Sequence, residues 1–152
     1  MQRRTFMQRL IQLAIGTFAM SLPPNRAVAA WPREHFATAE FDRLFARVFG
    51  NQEIVDSDEL VLQLPEVAEN GAVVPLTLSS TLERIDRIYI WVEKNPTPLA
   101  AEFAFDQSVA LYLTARIKMA ESCHVVVIAQ QDGRLLRRRQ WVKVVQGGCG
   151  TG

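Results

Sequence analysis

The stretch CHVVVIAQQDGRLLRRRQWVKVV, Cys123 to Val145, holds two apolar runs joined across Asp132-Gly133. Asp-Gly between two such runs is a strong hairpin signal, because the tight turn between antiparallel strands needs two residues that tolerate positive φ. The spacing predicts strands over 123–130 and 135–145, and the chain before them continues in the same manner. Runs at 60–64, 73–78, 85–93, 99–105 and 109–118 have strand length. The separators Glu69-Asn70-Gly71, Asn95-Pro96-Thr97-Pro98 and Asp106-Gln107-Ser108 carry turn chemistry. Seven short strands with no helix between them predict an all-β, immunoglobulin-like antiparallel β-sandwich.

Ahead of the strands, Ala37, Phe41, Leu44, Phe45, Val48 and Phe49 recur at helical spacing, which predicts an amphipathic helix over His35 to Phe49. Glu40 lies near its N-terminal end, where the dipole favours an anion, and Gly50-Asn51 supplies the stop. A helix this short needs a docking partner. One strand offers such a surface. In Ile88-Tyr89-Ile90-Trp91-Val92 one face is aliphatic and the other aromatic, so a sheet with one wet face would expose Tyr89 and Trp91. Either the N-terminal helix covers them, or they form a partner surface of the kind in which Tyr and Trp are enriched.

The first thirty residues read as an export signal. Arg3-Arg4-Thr5-Phe6 is a twin-arginine signature, 10–22 is an apolar run too short to span a bilayer, and Ala27-Val28-Ala29-Ala30 offers a cleavage site. The expected organisation is a Tat-type signal over 1–30 that is removed, a helix-plus-sandwich domain over 31–145, and a tail over 146–152. The mature protein is expected in the periplasm, without membrane attachment. Loss of Arg3, Arg4, Arg9 and Arg26 leaves 13 basic against 16 acidic residues, a poor surface for nucleic acid.

The tail, Gln146-Gly147-Gly148-Cys149-Gly150-Thr151-Gly152, has nothing large and apolar to pack. It is expected to be a flexible arm, because such a segment cannot offset the entropy of being ordered. Gly147, Gly148 and Gly150 leave the approach to the thiol sterically open. Cys149 can be read as half of a disulfide with Cys123, as a bridge to a second chain, or as a passive attachment point. No metal site is expected, since only His35 and His124 could join the cysteines. No neighbouring base is placed to activate the thiol as an enzyme nucleophile, which favours attachment with the chemistry done elsewhere. Cys123, opening an apolar strand, reads as a small buried hydrophobe, and His124 as an ordinary surface histidine. Arg134, Arg137, Arg138 and Arg139 are either a solvated hairpin or, with Arg137 and Arg139 foremost, a docking patch for anionic cargo or an acidic partner.

The chain resembles the SoxY family of sulfur carriers. The likeness is carried by the twin-arginine signal, by Leu64-Pro65-Glu66-Val67-Ala68-Glu69-Asn70-Gly71-Ala72-Val73-Val74-Pro75, by Lys94-Asn95-Pro96-Thr97-Pro98, by Arg116-Ile117-Lys118-Met119-Ala120-Glu121-Ser122 and by Gly147-Gly148-Cys149-Gly150. Where the family ends Gly-Gly-Cys-Gly-Gly, this chain has Thr151 in place of the last glycine and adds Gly152. The resemblance implies a non-enzymatic carrier of thiosulfate-derived sulfur on Cys149, with no other cofactor. It implies a heterodimer with SoxZ and transient contacts with SoxAX, SoxB and, where present, SoxCD. The competing reading is a β-sandwich adaptor that dimerises through a C-terminal disulfide.

Overall fold

The computed structural model describes residues 32–105 and 110–145. The expected export segment, the turn at Asp106-Gln107-Ser108 and the tail with Cys149, Gly147, Gly148 and Gly150 lie outside them.

Each of the seven expected strands is present, and two short ones join them. They are β1 (Ile54–Asp56), β2 (Leu60–Gln63), β3 (Val67–Ala68), β4 (Val74–Ser80), β5 (Arg87–Val92), β6 (Leu99–Ala104), β7 (Tyr112–Ile117), β8 (Cys123–Gln131) and β9 (Arg134–Val144). One sheet runs β1-β9-β8-β5-β6 with β3 attached to β9; the other runs β2-β4-β7. The long ladders are antiparallel, while β1 and β3 pair with β9 in parallel. At the hairpin Asp132 (φ 46°) and Gly133 (φ 80°) both hold the left-handed conformation that a two-residue turn of matching twist requires.

The core has two parts because β5 and β8 are buried on both faces. Ile88, Ile90 and Val92 of β5 with Cys123, Val125 and Val127 of β8 face the second sheet, against Leu60, Leu76 and Leu78. Tyr89, Trp91, Val126 and Ile128 face the other way, under α1 (Phe41–Phe49). The reading of Tyr89 and Trp91 as a partner surface is therefore corrected. Phe41, Phe45 and Phe49 bring their rings to within 5.3–5.9 Å of Trp91, and Phe49 lies 5.0 Å from Tyr89. Trp91 is fully buried. The apolar stripe of the helix and the aromatic face of β5 are each other's cover.

The helix is also shorter than its periodicity suggests. A separate 3-10 turn spans Arg33–Phe36, Ala37 is extended, and α1 begins only after Glu40. The Ala39 N–H donates to the Pro96 carbonyl at 3.2 Å, and His35 Nδ1 lies 2.9 Å from the buried carboxylate of Glu102. Those contacts hold 37–39 beside the β5–β6 connection, so the 3-10 turn does not run on into α1. At the far end Gly50 (φ 60°) donates its N–H to the Ala46 carbonyl and closes the helix.

Candidate functional site

Strand β9 delivers the chain to the tail, and its last residues are held from two sides. The Glu66 carbonyl accepts the Lys143 N–H and the Ala68 carbonyl accepts the Val145 N–H, both at 2.9 Å, so β3 is a short parallel splint on the strand end. From the other side Ser122 Oγ accepts the Val144 N–H at 2.9 Å and lies 3.4 Å from the Val144 carbonyl.

The remaining motif residues brace this arrangement. Asn70 Oδ1 accepts the Ala72 N–H at 2.9 Å and shapes the turn, and the Gly71 carbonyl accepts the Met119 N–H at 2.7 Å. Asn95 donates from Nδ2 to the Lys118 carbonyl at 2.7 Å and accepts the Ala120 N–H at 2.9 Å. Three stretches far apart in sequence, 64–75, 94–98 and 116–122, thus converge on the root of the tail. Sequence reasoning missed this role. The only local signal was the Asn-Gly turn after Pro65, and a two-residue strand has no alternation to show.

The outward face of β9 runs Leu135, Arg137, Arg139, Trp141, Lys143, since successive strand residues alternate in direction. Leu135 packs beneath α1. Arg137 is committed to Asp56 through Nε to Oδ1 at 2.7 Å and Nη2 to Oδ2 at 3.0 Å. That guanidinium holds the Asp56 carboxyl below its ordinary range, and is itself raised by the same hydrogen bond. Arg138 pairs with Asp58. Arg139 has no ion-pair partner among the described residues, so of the two arginines expected to dock a partner only Arg139 is uncommitted.

Cys123 is buried in the core between the sheets, and burial pushes its thiol pKa up. His124 faces the opposite side and is more than a bare surface residue. Its Nδ1 lies 3.3 Å from Glu93 Oε2, and its ring meets Trp141 edge-on at 5.0 Å.

By fold and root geometry this is a helix-backed β-sandwich that fixes the end of its last strand, β9, immediately before the C-terminal segment. A family model for the sulfur oxidation protein SoxY matches residues 45–149, and the chain belongs to that family. The solved structure of the sulfur carrier protein SoxY from Chlorobium limicola f thiosulfatophilum is 32% identical with a TM-score of 0.63, over 70% of this chain and 97% of that one. Superoxide reductase (neelaredoxin) from Ignicoccus hospitalis, 17% identical with a TM-score of 0.52 over 60% of this chain and 95% of that one, shares the fold alone. Among curated proteins none matches the sequence.

Proposed function

We propose that this protein is an exported periplasmic carrier, without catalytic activity of its own, that holds thiosulfate-derived sulfur on Cys149 while partner enzymes act on it. The observation that carries the reading is the rigid root. Val145 is hydrogen-bonded to Ala68, and four residues later the thiol stands between Gly148 and Gly150. An open, glycine-flanked thiol on a fixed base suits delivery into a pocket of another protein.

Loading joins the Cys149 sulfur to the outer sulfur of thiosulfate. The thiol loses one proton, and two electrons leave to an oxidant, for which the family resemblance supplies the haem protein SoxAX. The product is a thiosulfonate, Cys149-S-S-SO3⁻. Water then cleaves its terminal S–S bond, a step the resemblance gives to SoxB, releasing sulfate and two protons and leaving a persulfide anion, Cys149-S-S⁻. SoxCD, where present, would oxidise that sulfur further, and SoxZ is the proposed permanent partner. A disulfide-type link suits a carrier because it can be made and broken without consuming the protein.

Intact-mass measurement on protein from thiosulfate-grown cells tests the proposal. Adducts of sulfur or thiosulfonate that map to Cys149 and vanish on reduction are expected. A disulfide-linked dimer mass alone would favour the adaptor reading. Cys149→Ser should abolish thiosulfate oxidation with the fold intact; retained oxidation would overturn the carrier.

A further inference from the structure

The part of the outer sheet face that α1 leaves uncovered ends at the tail root, and it is not an ordinary polar surface. Trp141 is 53% exposed, Val67 49% and Val145 44%. Trp141 and Lys143 are alternate residues of β9, and Val145, one residue past its end and still hydrogen-bonded to Ala68, continues the alternation on the same face. Val67 is the register partner of Lys143 in β3 and joins the same face. Lys143 and, behind Trp141, Arg139 supply the positive charge, and neither has an ion-pair partner among the described residues. The result is three apolar side chains around one lysine, placed at the end of β9.

Trp141 is also held in place. The His124 ring stands edge-on to it at 5.0 Å, and Glu93 fixes that imidazole from behind. A large aromatic that is exposed yet already ordered has the properties of a binding anchor: it loses little conformational entropy on contact, and Trp is among the residues that dominate interface energies.

We infer that Trp141, Lys143, Val67 and Val145 form the docking surface for the enzymes that receive the Cys149 arm. The complementary partner surface is an apolar rim around the mouth of the receiving pocket, with a carboxylate set against Lys143. This rests on the carrier reading, and the reach of the arm supports it. Four residues span at most roughly 13–14 Å beyond Val145, so the mouth of any pocket that takes the thiol must lie that close to the root. A specific interface covers about 800 Å² on each partner, a disc of roughly 16 Å radius. Lys143 lies roughly 7 Å and Trp141 roughly 13 Å behind Val145 along the strand, and both fall inside it.

The test uses the full-length mature protein carrying Cys149→Ser, in complex with its proposed permanent partner SoxZ, titrated against the purified haem protein assigned above as the loading enzyme. Adding Trp141→Ser with Lys143→Glu should weaken binding at least tenfold and flatten its salt dependence, while the thermal midpoint stays within a few degrees. Unchanged affinity, or no binding by the parent protein, would overturn the docking surface. So would a patch-dependent self-association with no effect on the enzyme. Should the double substitution unfold the protein, Val67→Ser with Lys143→Glu replaces it under the same criteria. Adduct formation is scored separately on protein that retains Cys149. Patch-dependent binding without any Cys149 adduct would sink the carrier reading and leave the docking surface standing.

Discussion

A Cβ added to Gly71 would stand 2.4 Å from the carbonyl oxygen of Met119 and 2.9 Å from Val144 Cγ1, while the Gly71 carbonyl accepts the Met119 N–H at 2.7 Å. The β3 turn, the β7–β8 connection and the end of β9 therefore meet at a point with no room for a side chain. That contact joins sequence motif to arm: the glycine is required by close approach of another backbone, and what it approaches is the root of the cysteine tail.

Gly71→Ala is accordingly expected to destabilise by about 1–3 kcal/mol, the range for forcing a methyl group into filled space. The obstructing atom is a backbone oxygen, which cannot rotate away. The local effect should exceed the global one. Amide exchange at Lys143 and Val145, whose N–H groups are held by β3, should accelerate more than exchange at Val127 in the centre of β8. Uniform acceleration would mean that the clamp is not a separate unit.

The two thiols should differ in chemistry. Cys123 is 1% exposed and its pKa is raised first by burial, so its thiolate, the nucleophilic form, is scarce as well as inaccessible. Iodoacetamide at neutral pH is expected to add one group per native chain, on Cys149, and a second only in denaturant. Equal native labelling of Cys123 would contradict the core described here.

Much of this was legible in the sequence because the deciding signals are local. The 123–145 hairpin announced itself through two runs of strand length and one Asp-Gly. The cysteine tail stood out by composition. What stayed hidden was tertiary. Val67-Ala68 is too short for alternation, and its partner, Lys143-Val144, lies more than seventy residues on. For Tyr89 and Trp91 the pattern showed two apolar faces but could not say whether a helix or another protein covers the second. Ala37 fits a helix by spacing, yet it is extended, and the hydrogen bond from Ala39 to Pro96 ties the segment outside the helix. The likeness to SoxY marked 64–75 and 116–122 as a signature without saying that they brace the strand end.

Beneath α1, Trp91 separates size from polarity. It is fully buried, and its Nε1 has no hydrogen-bond partner among the described residues. Removing that N–H relieves an unsatisfied donor, so Trp91→Phe should cost much less than Trp91→Ala. Truncation to Ala should cost about 3–5 kcal/mol, the range for emptying an aromatic core site, and should release Phe41, Phe45 and Phe49 from their seat. Denaturant unfolding of the two variants measures the difference. Equal losses would show that a phenyl ring in place of the indole recovers none of the packing beneath α1.

The Asp56–Arg137 pair gives a pH dependence of definite sign. Hydrogen bonding from Arg137 is the largest influence on Asp56 and lowers its pKa below the ordinary 3.8, with Arg139 and Arg138 adding to the same field. A carboxyl with a depressed folded-state pKa binds its proton more readily when unfolded, so its contribution is present above about pH 4 and is lost as pH falls through and below that value. The carboxylate is exposed, so the effect on global stability should be small. It should instead be local to β1, where the Ser57 N–H donates to the Arg137 carbonyl. Carboxyl-carbon NMR should place the Asp56 midpoint below the ordinary 3.8, and Arg137→Gln should raise it toward that value. If the midpoint does not move in Arg137→Gln, the bidentate pair is not what holds Asp56 ionised.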